Sequence, residues 1–160
     1  MLQQSEVVFA LLGGGFFRGK WELDDNRYET ISPEFVAEAW GVWVESLPPE
    51  LKQQIDVGGG KTMTAPKWVE EVYDCDDIAL DFGVFLDRCM AVTAVKTGTA
   101  RGNSASGRFN FFLGGDASKS HCRNWFIDHA GAVHQFDAGN CSMPVLQDAE
   151  KPTIFFGEAI

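Results

Sequence analysis

The sequence lacks a basic N-terminal segment and any long hydrophobic run. Met1 to Glu6 contains no Lys or Arg, and the apolar run Val7 to Leu12 stops at Gly13-Gly14-Gly15. A signal peptide needs a positive start and a longer apolar stretch, and a membrane helix needs about 20 apolar residues. Neither is expected, so the context reads as cytoplasmic or virus-encoded. Positive charge is scarce. Thirteen Lys and Arg face 23 Asp and Glu, giving a net charge of −10 and a pI near 4.6. A phosphate backbone is repelled by such a surface, which argues against nucleic acid as a partner. Paired cysteines are also missing. Cys75, Cys89, Cys122 and Cys141 form no CxxC, so free thiols are expected rather than a disulfide framework. There are only three histidines, and there is no internal repeat.

Aromatic residues are abundant, with 13 Phe and 5 Trp. They supply large buried areas, and 160 residues suffice for one domain spanning 1–160 with its own core. The first thirty residues read as a short strand followed by turns. Ser32-Pro33-Glu34 starts a helix, with a capping Ser, Pro in the first turn and an acid near the positive end of the helix dipole. Phe35, Val36, Ala39, Trp40 and Trp43 continue it to about Leu47, and Pro48-Pro49 ends it. Pro49 to Ile55 reads as a second short helix.

Gly58-Gly59-Gly60-Lys61-Thr62 resembles a phosphate-binding loop only superficially, because Ile55 stands where that motif needs glycine. A linker or lid is the expectation there. A further helix begins near Cys75, with Ile78, Ala79, Phe82, Phe85, Leu86, Cys89 and Met90 in one stripe. Thr97 to Gly107 reads as a loop, Phe109 to Leu113 as a strand, and His121 to Asp137 as a hairpin turning near Ala130. Thr153 to Ile160 is a last strand. Helices first and a small antiparallel sheet second define an α+β class.

Cys75 lies at a helix start, where free N–H groups and the dipole favour a thiolate. Asp74, Asp76 and Asp77 oppose that by like-charge repulsion. A bound hard cation relieves the conflict, so Ca²⁺ or a similar ion is expected to matter. Asp24 and Asp25 form another acidic pair of this kind. His121 follows a loop that lets it reach across a cleft as the base for Cys75. With the turn near Ala130, Asp137 falls opposite or diagonal to His121 and within reach to orient its ring. Cys89 and Cys122 read as buried. A zinc site from His121, Cys122, His134 and Cys141 is open, but its spacing matches no regular zinc pattern.

Tyr73-Asp74-Cys75-Asp76-Asp77-Ile78-Ala79 resembles a segment of the C-terminal domain of Marasmius-type mushroom agglutinins and their phage and bacterial relatives. His121 to Asp128 and Gln135-Phe136-Asp137 resemble two further segments in the same order, so the likeness covers about residues 67–140. It implies a papain-like, calcium-activated cysteine protease fold. In that reading Cys75 is the nucleophile, His121 the base, Asp137 the orienting acid, and Asp76 and Asp77 calcium ligands. Asp137 stands where the family has Glu, and Ala138-Gly139 where it has Pro-Gln. A second oxyanion donor is therefore open, with Trp68 and Asn124 as candidates beside the Cys75 N–H.

The expected function is a thiol hydrolase acting on a peptide or amide bond of a protein or peptide substrate. A transglutaminase-like or amidase activity uses the same residues. A non-catalytic phage structural or host-interaction protein is the alternative from another class.

Overall fold

The computed structural model describes residues 1–16, 20–23, 27–99 and 103–160. Asp24 and Asp25 lie outside the described residues, as do 100–102 of the Ser/Thr/Gly-rich loop. The chain opens with β1 (Leu2–Gln3), α1 (Gln4–Gly13), β2 (Lys20–Glu22) and β3 (Arg27–Glu29). Helix α2 (Pro33–Ser46), a 3-10 turn (Pro49–Leu51), β4 (Lys52–Gly58), β5 (Lys61–Pro66) and the long helix α3 (Cys75–Thr97) follow. The second half holds β6 (Asn103–Ser104), β7 (Ser106–Phe112), β8 (Ser120–Ile127), β9 (Val133–Phe136) and β10 (Phe156–Ala159).

Local sequence signals explain α2 and α3. Ser32 Oγ accepts from the Phe35 N–H, and Pro33 occupies the first turn of α2. Asp74 caps α3, and Gly98 ends it in the left-handed conformation (φ 66°). Two expectations fail. Val7 to Leu12 is helix α1 rather than a strand, because Gln3 and Glu6 form a capping box and Val7 and Leu11 bury one face at i, i+4 spacing. After its 3-10 turn, the stretch expected as a short helix becomes β4, which pairs with β5 in a hairpin whose tip carries the three glycines at positive φ.

The expected architecture of N-terminal helices packed on a small C-terminal antiparallel sheet is corrected. Ten strands and three α-helices are interleaved among the described residues. The five-stranded sheet runs β2-β10-β7-β8-β9. Its edge strand β2 comes from the N-terminal region and pairs parallel to β10, so the sheet is mixed and built from both ends of the chain. A second sheet, β1-β3-β6, joins the N-terminus to residues just after α3. The papain-like layering is not the observed one, because these pairings join segments far apart in sequence.

Strand β8 explains how the core is arranged. Cys122 through Ile127 are all buried, the signature of a strand covered on both faces. Phe126 joins Trp43, Phe82 and Phe136 in a core shared with α2 and α3. Trp125 and Ile127 join Phe109 and Phe111 with Val7 and Leu11 of α1. Each large side chain buried this way contributes roughly 1.5–3 kcal/mol. The first core presses the start of α3 against the sheet and so sets where Cys75 stands. Among the described residues, no helix is long and apolar enough to cross a membrane.

Candidate functional site

Cys75 is the first residue of α3 and half-buried. The acids around it divide their roles. Asp74 Oδ1 accepts from the Asp76 N–H at 3.3 Å, and the Asp77 carboxylate turns back to accept from the Asp74 N–H at 3.3 Å. Asp77 is therefore a capping group. Asp74 and Asp76, with Cys75 between them, offer ligand atoms within 4.8 Å of one another. A side-chain hydrogen bond to Asp74, burial and the Asp74 charge all raise the Asp76 pKa. The resemblance points to Asp76 and Asp77; the geometry brings Asp74 close to Asp76. The alternative zinc set is not assembled among the described residues.

His121 lies near the start of β8 and Asp137 just past β9. In the ladder Asn124 faces Phe136 and Phe126 faces His134. Continuing the register puts Arg123 across from Asp137 and leaves His121 diagonal to it. Strand alternation sends all three side chains to one face. The turn is held by Asp128, whose Oδ1 accepts from the Ala130 and Ala132 N–H groups, with Gly131 at φ 81°. His121 Nε2 lies 3.0 Å from Asp137 Oδ2. Cys75 and His121 line the same cleft, and the Cys75 thiol is among the groups that raise the His121 pKa. The His121 ring also packs edge-on against Phe111, 5.7 Å between centroids.

Asp137 is fixed from several sides. Its Oδ1 accepts from the Gly139 N–H at 3.0 Å. Arg123 Nε stands 3.5 Å from Oδ2, and its guanidinium lies over the Phe111 ring at 4.8 Å. Trp40 Nε1 of α2 donates to the Ala138 carbonyl at 2.7 Å, which ties the loop after Asp137 to the helical layer. Burial acts to raise the Asp137 pKa, but the hydrogen bond and charge of His121, the Gly139 N–H and Arg123 together hold it below the usual carboxylate range. For His121 burial lowers the pKa. Its bonds to Asp137 and Cys75, and the charges of both, outweigh that and push it up to about 9.

Cys75, His121 and Asp137 line one cleft of about 130 Å³, together with Gln53, Pro66, Trp68, Ile78, Ala79, Cys122, Ala138 and Gly139. Trp68 is therefore brought to the site, 54% exposed at its rim. Asn124 is not. It is buried, and its Nδ2 donates to the Ala79 and Gly107 carbonyls, a structural tie between α3 and the sheet. Arg123 and Gln53 are members of the site that the sequence reading misses. A buried Arg inside a strand is unusual enough to signal a paired role, whereas nothing local marks Gln53. Cys122 is buried, which drives its thiol pKa well above the ordinary value. His129 is exposed and bonds Thr30; His134 pairs with Asp128 at 2.7 Å.

No family model and no curated protein matches the chain. Solved structures do. One, a PSL1a-E64 complex, superposes with a TM-score of 0.68 at 19% identity, over 98% of this chain and 50% of that one. Another, Polyporus squamosus lectin bound to the human-type influenza-binding epitope Neu5Aca2-6Galb1-4GlcNAc, gives 0.66 at 19% identity, over 98% and 49%. The chain thus spans about half the length of the structures it matches. These findings correct the expectations that rested on the agglutinin protease-domain resemblance. The second of these is named a lectin, and its named partner is a glycan. The cysteine-protease assignment, its peptide-bond hydrolysis with the transglutaminase, amidase and phage-factor alternatives, and the protein or peptide substrate are withdrawn. At this level of identity, what the chain has in common with these structures is the fold.

Proposed function

We propose that Cys75, His121 and Asp137 form a nucleophilic thiol centre, with Cys75 as the attacking atom, His121 as its base and Asp137 as the carboxylate that orients the ring. The observation that carries this reading is the placement of thiol, imidazole and carboxylate in one cleft, with His121 Nε2 3.0 Å from Asp137 Oδ2. An imidazole raised to about 9 is protonated at neutral pH and stabilises a thiolate beside it. A hard cation, Ca²⁺ in the first instance, suits Asp74 and Asp76. The carboxylates are close enough to disfavour each other's charge, and both offer oxygen ligands. When bound, the ion supplies positive charge that offsets the repulsion between these acids and a Cys75 thiolate.

Iodoacetamide labelling followed by peptide mapping tests the centre. Cys75 is expected to react at least tenfold faster than Cys89, Cys122 and Cys141 at pH 7, and faster again with Ca²⁺ present. Equal, slow labelling of all four thiols would count against it. E64, an epoxide electrophile and the compound in one of the similar structures, serves as a second reagent.

A second reading, glycan binding, rests on the similar lectin structure, which is bound to a sialylated trisaccharide. Calorimetric titration of this chain with Neu5Aca2-6Galb1-4GlcNAc tests it. Saturable heat supports the reading, and its absence at millimolar sugar rejects it for this chain.

A further inference from the structure

We propose that Cys75 and Cys122 form a dithiol couple that closes to a disulfide when Cys75 is oxidised, with Cys122 as the resolving thiol. This rests on the reading of Cys75 as the reactive thiol of the cleft. It adds a modification site on β8 that switches the centre off reversibly and spares its sulfur from irreversible oxidation.

The way α3 lies on β8 brings the two residues together. Asn124 Nδ2 donates to the Ala79 carbonyl at 2.8 Å, so Ala79 lies over Asn124. Helix and strand run the same way from there. Phe82 of α3 and Phe126 of β8 share one core. Asp87, further along the helix, accepts from Ser104 Oγ at 3.0 Å, beyond the pairing of Ser106 with Phe126. One turn back from Ala79, on the same helix face, is Cys75. Two residues back from Asn124, on the same sheet face, is Cys122. A helical turn rises about 5.4 Å and two strand residues about 6.6 Å, so the two steps keep pace. Cys75, Ile78, Ala79 and Cys122 accordingly line one cleft.

The two thiols differ in a way that suits them to successive steps. Cys75 is half-buried at the cleft. Cys122 is only 3% exposed, and its Sγ donates to Asn110 Oδ1 at 3.7 Å. A dissolved oxidant meets the first and not the second. Burial raises the Cys122 pKa, Arg108 opposes that, and the charge of nearby Cys75 adds to the rise. Cys122 thus stays a neutral thiol until its neighbour is oxidised. The start of α3 is held over the sheet by Arg108 of β7, whose Nη1 donates to the Asp76 carbonyl at 3.1 Å. Neither Cys89 nor Cys141 lines this cleft.

The oxidant is a peroxide. The Cys75 thiolate attacks one peroxide oxygen, and an S–O bond forms as the O–O bond breaks. The departing oxygen takes a proton and leaves as water. The sulfur is oxidised to a sulfenic acid and the peroxide is reduced. The Cys122 sulfur then attacks the Cys75 sulfur. The S–S bond forms, the S–O bond breaks, and the hydroxyl leaves as water with the Cys122 proton. A dithiol such as dithiothreitol reverses the change by exchange.

Treatment with hydrogen peroxide, alkylation of the remaining thiols with iodoacetamide and peptide mapping without reductant test the couple. The expected product is a Cys75 peptide cross-linked to the Cys122 peptide of the same chain, with Cys89 and Cys141 alkylated. Cys75 loses its alkylation after peroxide and regains it after dithiothreitol. In Cys122→Ala the oxidised Cys75 is expected to stay a sulfenic acid, which dimedone traps. Dimedone labelling of Cys75 that is the same with and without Cys122 overturns the proposal. So does a Cys75 joined to Cys89, to Cys141 or to a second chain. Those results leave the thiol centre standing. A Cys75 that neither alkylates selectively nor oxidises overturns both.

Discussion

Asp137→Ala is expected to lower the unfolding free energy by about 3 kcal/mol, within the range for breaking a buried ion pair from one side. The carboxylate side chain is only 15% exposed, bonds His121 and the Gly139 N–H, and stands 3.5 Å from Arg123 Nε. Arg123, with 10% of its side chain exposed, is left with Gln135 and the Phe111 face but no counter-charge. Urea unfolding at pH 7 measures the loss. A change below about 0.5 kcal/mol would show that the carboxylate does not hold this corner together.

The same variant changes the pH profile of stability. His121 has a folded pKa raised above the ordinary value to about 9. Its contribution is complete below about 6.5 and is lost as pH rises through 9. Asp137 is shifted the other way, below the usual range. Its contribution is present above about 4 and is lost as pH falls through the lowered value. The two shifts describe one interaction and are counted once. The native protein is therefore expected to be most stable between about pH 4 and 7. With Asp137→Ala, burial pulls the His121 pKa down again and the alkaline loss shrinks. Unfolding curves from pH 5 to 9.5 read this directly.

His121→Ala is expected to slow alkylation of Cys75 by about a hundredfold at pH 7, the lower end of what a positioned acid–base group contributes. The imidazolium is a positive group in the same cleft as the thiol, and the acids around Cys75 oppose a thiolate. Cys89 and Cys141, half-buried and raised by burial alone or nearly so, serve as internal references because neither contacts His121. A rate at Cys75 that is the same with and without His121 would remove the base from the proposed centre.

The corrections have one physical theme. α1 departs from the strand reading because six apolar residues without polar alternation fit a buried strand or a helix equally well, and a capping box decides it. β4 departs from the helix reading because a Pro-Pro start and a short polar run favour a turn of helix locally, while pairing with β5 wins. The mixed sheet needs β2 to meet β10 across almost the whole chain, and no local pattern specifies that pairing. Asp77 has a role that the cation reading does not contain. Its carboxylate reads as a cation ligand, yet its spacing from Asp74 is that of a capping box.

What the sequence determined by itself was local: the starts of α2 and α3, with Cys75 at the head of the latter, and the 128–131 turn that folds β9 back on β8. Those signals act over three or four residues, and the backbone obeys them wherever the segment lies. Tertiary structure alone decided the one-pair shift that sets Arg123 across from Asp137, the burial of Asn124, the approach of Asp74 to Asp76, and the arrival of Gln53 in the cleft that Cys75 lines. Each depends on how layers pack and strands register at long range, where a single residue's slip changes which side chains meet.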